Sequence, residues 1–175
     1  MKKIYIVLTQ SGTFISKLLK FISRKPFNHA SLALDKSLYE FYSFGRKVPR
    51  NPFIGGFVVE HKNTGVYEIF GKSPSVVIEL PVTDEQYDKI KETLQIFINN
   101  KDIYKYDFIN LAFVYTKYHL NRKNRFFCSQ FVAFVLNTAG ISTSNAPEHI
   151  QPIEFLQLEN SSIVYRGDIQ DYTLQ

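Results

Sequence analysis

Short apolar runs separated by turn residues dominate the hydrophobic pattern of the chain. The run over residues 3–8 is rich in β-branched side chains, which predicts a short buried strand. Apolar runs at 29–34 and 38–44, with a polar turn at 35–37 between them, predict a β-hairpin. Four further short strands are predicted at residues 57–60, 66–70, 76–80 and 163–165.

Helical spacing of apolar residues predicts four helices. A stripe over residues 13–23 predicts an amphipathic helix that Pro26 ends. Thr83 and Gln86 have the spacing of a capping box, which predicts a helix ending near residues 99–100. Two more helices are predicted, over residues 106–115 and from Cys128 to a C-cap at Gly140.

The order of these elements is mixed and does not alternate strictly between strands and helices. It therefore favours an α+β fold over a doubly wound sheet, in one domain that spans residues 1–175. Residues 45–56 contain two prolines and the pair Gly55-Gly56, which predicts a loop of about a dozen residues. A loop of that length, together with many tyrosines, favours a partly covered cleft.

The composition is that of an ordinary globular domain, with two departures. Aromatic residues make up 15% of the chain and comprise 16 Phe and 11 Tyr, which predicts a core of large rings. The net charge of +5 is uneven, because residues 1–140 hold 20 Lys/Arg against 11 Asp/Glu and residues 141–175 hold 1 against 5. The basic tract at 117–125 is a candidate anionic-surface site, but no nucleic-acid motif accompanies it, so we expect no nucleic-acid partner.

Cys128 is the single cysteine of the chain, which excludes an intramolecular disulfide framework and a multi-cysteine zinc site. The N-terminal apolar run ends too early for a signal peptide or a membrane span, so we expect a cytoplasmic protein without a transmembrane segment. No cluster of histidines and carboxylates has metal-ligand spacing, and Gly55-Gly56 lacks the lysine and the helix of a phosphate-binding loop. We therefore expect no metal and no cofactor.

Cys128 stands at the predicted start of a helix, and His29 stands at the predicted start of a strand. The positive end of a helix dipole and its unpaired N–H groups favour a thiolate and also accommodate an oxyanion. A cysteine and a histidine that meet in the fold are the minimum equipment for thiol acyl chemistry. A core cysteine and a histidine held by a backbone carbonyl are the structural alternatives.

Together, the residues around Cys128 and His29 resemble a known family. The similarity is to the circularly permuted branch of the NlpC-type papain-like superfamily, which includes the YiiX-like proteins and, more distantly, lecithin–retinol acyltransferase. In this branch the histidine precedes the cysteine, as it does here. Its histidine strand typically reads His-Val-Gly or His-Val-Ser, whereas this chain has Ala30 in the middle position. The residues that carry the resemblance are His29-Ala30-Ser31-Leu32-Ala33-Leu34-Asp35, Tyr42-Ser43-Phe44-Gly45-Arg46-Lys47 and Phe127-Cys128-Ser129-Gln130-Phe131-Val132, and residues 151–167 look like bacterial members.

The resemblance implies an antiparallel sheet packed against the helix that carries the cysteine. It implies Cys128 as the nucleophile and His29 as the base, with the Cys128 N–H contributing to an oxyanion hole. It also implies a third polar residue that orients the imidazole. The candidates are Glu60, Ser43 and Glu40, of which Glu60 is favoured because a carboxylate stabilises imidazolium more strongly than a hydroxyl.

The activity that the resemblance implies is that of a cysteine-dependent hydrolase or acyltransferase. Its substrate would be the amide or ester bond of a small peptide, amide or lipid-acyl compound. A non-catalytic module that binds an acyl or peptide ligand on the same scaffold is the alternative, and a basic protein that engages anionic surfaces is a third. Catalysis requires the Cys128 sulfur and a His29 ring nitrogen to lie within reach of each other.

Overall fold

A six-stranded antiparallel sheet forms the centre of the computed structural model, which describes residues 1–10, 26–48, 50–51, 53–114, 116 and 118–174. The strand order is β4-β3-β2-β1-β5-β8, and a separate parallel pair joins β6 to β7. The strands are β1 (Lys2–Thr9), β2 (His29–Ala33), β3 (Phe41–Arg46), β4 (Gly55–Glu60), β5 (Pro74–Val82), β6 (Lys105–Tyr106), β7 (Arg125–Phe126) and β8 (Ser162–Asp168).

Within the described ranges the chain also forms four α-helices and two short 3-10 helices. The α-helices are α1 (Val66–Phe70), α2 (Asp84–Asn99), α3 (Phe108–Phe113) and α4 (Cys128–Thr138), and the 3-10 helices are Pro152–Gln157 and Ile169–Asp171. This mixed order around an antiparallel sheet confirms the α+β class. None of these helices is both long and apolar enough to cross a membrane.

Strand β1 lies inside the sheet between β2 and β5 and is buried on both faces. Ile4, Ile6 and Leu8 belong to the main core, which also contains the apolar faces of α2 and α4. Tyr5 and Val7 point the other way, into a second apolar cluster that covers the opposite face. Burial on both faces explains why β1 reads as a continuous apolar run and is readily predicted from sequence.

Phe44 on β3 lies at the centre of an aromatic cluster where the sheet meets the helices. The ring is fully buried, and it packs against rings that come from β4, α2, β7, α4 and the segment before β6. Its centroid distances are 6.0 Å to Phe57, 5.9 Å to Phe97, 6.3 Å to Tyr104, 5.2 Å to Phe126 and 5.3 Å to Phe131. Offset and edge-on contacts of this kind stabilise the cluster beyond simple area burial.

Residues 66–70 form helix α1, so the prediction of a strand there is wrong. Gly65 and Gly71 flank the helix with φ values of 64° and 68°, in the left-handed region that glycine adopts without steric cost. Tyr67 is buried in the second apolar cluster. A short, largely apolar run fits both a strand and one buried helical turn, so the apolar pattern alone does not distinguish them. Here the positive φ angles of the two flanking glycines mark the ends of a helix.

The hairpin of β2 and β3 is confirmed, but its second strand starts later than predicted. Leu38 takes a φ of 51° and inserts a fully buried side chain, so the turn continues to residue 40 and β3 begins at Phe41. β3 then runs to Arg46 and β4 begins at Gly55, with these two residues paired. The connection between the strands is therefore shorter than the predicted loop at 45–56.

The capping box is confirmed at the start of α2, where Thr83 Oγ1 accepts from the Gln86 N–H at 3.1 Å and the Thr83 N–H donates to Gln86 Oε1 at 3.0 Å. Helix α4 ends just before Gly140, which has a φ of 75° as a C-cap glycine should. The predicted helix at 106–115 begins two residues late, because Asp107 is the N-cap of α3. Residue 115 and the predicted helix at 13–23 lie outside the described residues.

We expect Phe44→Ala to lower the free energy of unfolding by about 3–5 kcal/mol, because it removes a ring from the centre of a packed cluster. The measurement is a urea unfolding curve at neutral pH. Phe53→Ala makes the same chemical change at a side chain that is 82% exposed, and should change stability by less than about 0.5 kcal/mol. Equal losses in the two variants would contradict this description of the core.

Candidate active site

Cys128 and His29 meet where helix α4 packs against the beginning of β2. Cys128 is the first residue of α4 and His29 is the first residue of β2. The Cys128 thiol donates to the Asn28 carbonyl oxygen over 3.9 Å, and His29 is close enough to lower the pKa of the thiol. Cys128 is 2% exposed and the His29 side chain 13%. The structure thus brings together the two residues that the sequence singled out.

Helix α4 presents its first-turn N–H groups to the thiol. Its N-cap, Phe127, has an extended backbone and supplies no side-chain hydrogen bond to the first turn. The Ser129 N–H hydrogen-bonds with the Cys128 side chain, while the Ser129 hydroxyl is occupied with the Ile150 carbonyl at 2.7 Å. The start of α4 therefore offers backbone donors to a negative charge on Cys128.

Glu60, at the end of β4, contacts the Nε2 atom of the His29 imidazole. Both of its carboxylate oxygens lie 3.0 Å from His29 Nε2. An ionised carboxylate accepts hydrogen bonds and donates none, so Nε2 carries a proton. This hydrogen bond fixes the tautomer and leaves Nδ1 as the ring nitrogen that serves the thiol.

The other two candidates for orienting His29 have different partners. The Ser43 hydroxyl is buried and donates to the Ala30 carbonyl oxygen at 2.7 Å. Glu40 accepts a hydrogen bond from the Tyr42 hydroxyl at 3.0 Å. The geometry therefore favours Glu60 as the orienting residue.

Gly45 on β3 lies beside the point where Glu60 reaches His29 from two strands away. Glu60 pairs with Phe41 on β3, and the pairing of Leu32 with Tyr42 places Gly45 beside His29. A Cβ atom on Gly45 would lie 3.4 Å from Glu60 Oε1 and 3.8 Å from His29 Cε1, which are ordinary contact distances. Gly45 therefore borders the space in which carboxylate and imidazole meet.

Burial and charge act in opposite directions on both members of the Cys128–His29 pair. Burial lowers the pKa of His29, but the Glu60 charge and the hydrogen bonds of Cys128 and Glu60 outweigh it and hold the pKa well above 6.5. Burial raises the pKa of the Cys128 thiol, whereas the hydrogen bond and charge of His29 and two backbone N–H groups bring it below its ordinary value. Both directions favour a thiolate beside an imidazolium.

Tyr106, which sequence analysis did not single out as a site residue, also contacts Cys128. The Tyr106 hydroxyl lies close enough to the thiol and the backbone of Cys128 for both to shift its pKa. Burial and the charge and hydrogen bond of Cys128 raise the pKa of Tyr106 well above 10, so the phenol keeps its proton. A protonated phenol beside the Cys128 N–H is a suitable donor to an oxyanion.

Glycines on β4 allow Tyr106 to reach this position. Strand β6 pairs in parallel with β7, with Tyr106 opposite Phe126. A Cβ atom on Gly55 would lie 2.7 Å from the Tyr106 Cβ, and one on Gly56 would lie 2.5 Å from the Tyr104 carbonyl oxygen. The pair Gly55-Gly56 therefore serves close packing of residues 104–106 against the sheet.

A buried polar cluster fixes the chain that follows Tyr106. Asp107 is fully buried and accepts from Arg122 Nη1 at 2.6 Å and from the Asn110 backbone and side-chain amides at 3.1 and 2.8 Å. Asn110 in turn bonds both backbone groups of Leu120. Arg122, from the basic tract at 117–125, thus pairs with the buried carboxylate of Asp107, which weakens the case for that tract as an anion-binding surface.

A pocket of about 590 Å³ lies beside Glu60. Arg46, Lys47 and Lys101 contribute positive charge to its lining, and Tyr67 contributes a buried ring. Among the described residues, no group of three or more His, Cys, Asp or Glu side chains has the arrangement of a metal site.

Two other residues near the site differ in how far the sequence could have revealed them. Ser31 lies two residues after His29 and so on the same strand face, and it donates to Glu60 Oε2 at 2.6 Å. The two-residue period of a strand could have indicated Ser31. The position of Tyr106 depends on the parallel pairing of β6 with β7. Each of these strands has only two residues, which is too short to give a periodic pattern in the sequence.

No family model and no curated protein matches this chain. The structure shows an α+β fold in which the cysteine-bearing helix packs on an antiparallel sheet. The resemblance to permuted papain-like proteins remains an interpretation of the sequence motifs.

We expect Glu60→Gln to lower the pKa of His29, because it removes the largest contribution that raises the pKa and leaves the burial that lowers it. The measurement is an NMR titration of the His29 ring. Glu40→Gln is the matched control: it makes the same change at a carboxylate bonded to Tyr42 and should leave the His29 titration unchanged. A His29 pKa that is the same in wild type and Glu60→Gln would refute the proposed pairing.

Proposed function

We propose that the protein is a cysteine-dependent hydrolase or acyltransferase that acts on an amide or ester bond. One observation carries the proposal: the Cys128 thiol at the start of α4 lies beside the His29 imidazole, which lowers its pKa, and the Glu60 carboxylate is hydrogen-bonded to Nε2 of that imidazole. A nucleophile, a base and a group that orients the base are the parts that thiol acyl transfer requires.

The first half-reaction forms an acyl-enzyme. The Cys128 thiolate attacks the carbonyl carbon, a carbon–sulfur bond forms, and the carbonyl electron pair moves to oxygen. The Cys128 N–H and the Tyr106 hydroxyl donate to that oxyanion. The His29 imidazolium then gives its Nδ1 proton to the leaving nitrogen or oxygen as the bond to carbon breaks, which leaves a thioester on Cys128 and a neutral imidazole.

The second half-reaction releases the acyl group. Neutral His29 removes a proton from water, or from the nucleophile of an acyl acceptor, as that atom attacks the thioester carbon. Collapse of the second oxyanion expels the Cys128 thiolate and restores the ion pair with His29. Glu60 keeps the Nε2 proton in place throughout, so that Nδ1 is the nitrogen that exchanges protons.

The same arrangement favours an enzyme over a non-catalytic binding module on this scaffold. Burying an imidazolium and a carboxylate together carries a desolvation penalty that hydrophobic packing would avoid. A cavity that only holds an acyl or peptide ligand has no need of a thiol hydrogen-bonded to that imidazolium. The combination of charge burial and a nucleophile is typical of catalytic sites.

The resemblance to the permuted NlpC-type papain-like branch extends the proposal to the kind of substrate. It favours a small peptide, amide or lipid-acyl compound as the acyl donor. A single cysteine that acts as a thiol favours a reducing compartment, so the proposed site of action is the cytoplasm.

Alkylation of Cys128 by iodoacetamide tests this function. We expect the pH midpoint of the reaction rate to lie below the value of about 8.5 for an ordinary thiol, because His29 stabilises the thiolate. His29→Ala should raise that midpoint, and each pH unit by which the midpoint rises should slow alkylation at mildly acidic pH about tenfold. The intact mass of the protein measures the alkylation of Cys128 alone, since the chain has one cysteine.

His119→Ala is the control for loss of a histidine elsewhere, and it should alkylate as wild type does. A wild-type midpoint near 8.5 that His29→Ala leaves unchanged would rule out the proposed activation of Cys128. So would a thiol that resists alkylation at every pH in the folded protein and reacts only after unfolding.

Tyr106→Phe separates oxyanion stabilisation from thiol activation. We expect hydrolysis of p-nitrophenyl acetate to fall on the order of 10²-fold, the usual loss for one oxyanion donor. Alkylation by iodoacetamide, which forms no oxyanion, should fall much less. Tyr104→Phe is the control, because its ring packs on Phe97 with centroids 4.4 Å apart. Equal losses in the two reactions would show that Tyr106 acts only on the thiol.

A further inference from the structure

We propose that Ser31 is a positioning residue of this site, whose buried hydroxyl fixes the Glu60 carboxylate against His29. The inference rests on the proposed function, since Ser31 acts on the residue that orients the catalytic imidazole. It concerns neither the nucleophile nor the base, and the family resemblance assigned no role to Ser31.

Ser31 makes the shortest hydrogen bond to the Glu60 carboxylate among the contacts around His29. Its hydroxyl donates to Oε2 at 2.6 Å and lies 3.3 Å from His29 Nε2. The residue is fully buried. Because a hydroxyl has one proton, and Ser31 gives it to Glu60, its oxygen is available only as an acceptor toward other groups.

The Tyr67 hydroxyl, from helix α1, lies close enough to Glu60 and Ser31 for both to shift its pKa. Burial and the charge of Glu60 raise that pKa well above 10, so the phenol keeps its proton, and its oxygen lies 3.5 Å from Thr9 Oγ1 on β1. Ser31, Thr9 and Tyr67 are all buried, which strengthens the Ser31 hydrogen bond to Glu60 by excluding water.

The position of Glu60 explains why it needs a second partner. Both carboxylate oxygens lie at the same distance from Nε2, so this contact alone does not select one rotation of the carboxylate plane. The terminal torsion of a glutamate is broad and roughly two-fold. The Ser31 hydrogen bond to Oε2 selects one orientation and also satisfies an acceptor that is removed from water.

The charged and titratable groups around this carboxylate come from several elements. His29 faces it from β2 and Tyr67 from α1, while Arg46 from β3 lines the adjoining pocket. Behind His29 stand Cys128 from α4 and Tyr106 from β6. Ser31 differs from these groups because it acts on Glu60 through a neutral donor, so its loss changes no charge in the site.

The experiment measures the His29 ring by NMR titration and the alkylation of Cys128 as a function of pH in Ser31→Ala. Loss of the hydroxyl weakens the hold of the carboxylate on the imidazolium, so we expect the His29 pKa to fall by about 1. The alkylation midpoint should rise, with a loss of rate of about tenfold at mildly acidic pH.

Ser43→Ala is the matched control, because Ser43 is an equally buried serine on the neighbouring strand and bonds the Ala30 carbonyl instead of Glu60. It should leave both titrations as in wild type. Ser31→Thr retains the hydroxyl and should restore the wild-type His29 pKa. A purely structural role of Ser31 would move the unfolding free energy but neither titration.

The positioning role of Ser31 is overturned if Ser31→Ala and Ser43→Ala give the same His29 titration as wild type. That result would leave an activated Cys128, and with it the proposed function, intact. Conversely, a wild-type Cys128 that alkylates like an ordinary thiol would overturn the proposed function. The His29 titration would still decide the role of Ser31 in that case, because it depends on Glu60 and Ser31 and requires no catalysis.

Discussion

The contact between Glu60 and His29 is the constraint on which the rest of the site depends. A buried carboxylate or imidazolium without a partner is costly, so neither residue is stable here without the other. Their pairing fixes the Nε2 proton, directs Nδ1 toward Cys128 and supplies the charge that offsets the burial of His29. The thiolate character of Cys128 follows from this pair more than from the helix start, since His29 provides the largest favourable contribution to it.

The sheet residues that surround this pair have small side chains or none. A Cβ atom on Gly45 would contact both Glu60 and His29, and the missing Cβ of Gly55 leaves the space that Tyr106 fills. Ser31 provides a short hydrogen bond to the carboxylate. Larger side chains at these places would fill the volume in which the charged groups meet, so the residues that support the site are mostly ones with little or no side chain.

Those parts of the structure that depend on local physics are predictable from the sequence. The two-faced burial of β1 gives an uninterrupted apolar run, and the bonds between Thr83 and Gln86 involve residues three positions apart. Helix α1 is easily mistaken for a strand because a short apolar run fits both, and the two glycines that decide it act through backbone angles. The predicted start of β3 is too early for a similar reason: Leu38 fits an apolar strand, but its positive φ keeps it in the turn.

The residues of the candidate site also differ in whether local sequence patterns predict them. Cys128 and His29 are recognisable because each stands at the start of a predicted element. Glu60 is favoured on the chemistry of a carboxylate, but its contact with His29 depends on register across two strands and on a missing side chain at Gly45. Tyr106 and Tyr67 reach the site through pairing and packing that involve distant parts of the chain, so no local pattern marks them.

The charge state of the single thiol tests the central claim most directly. The ultraviolet absorbance of the thiolate, followed against pH in wild type and in His29→Ala, reports Cys128 without any substrate. The account predicts that wild type carries thiolate well below a pH of about 8.5 and that His29→Ala loses it at the same pH. One transition at about 8.5 or above in both proteins would show that Cys128 is an ordinary buried thiol, and would contradict the ion pair on which the proposed chemistry depends.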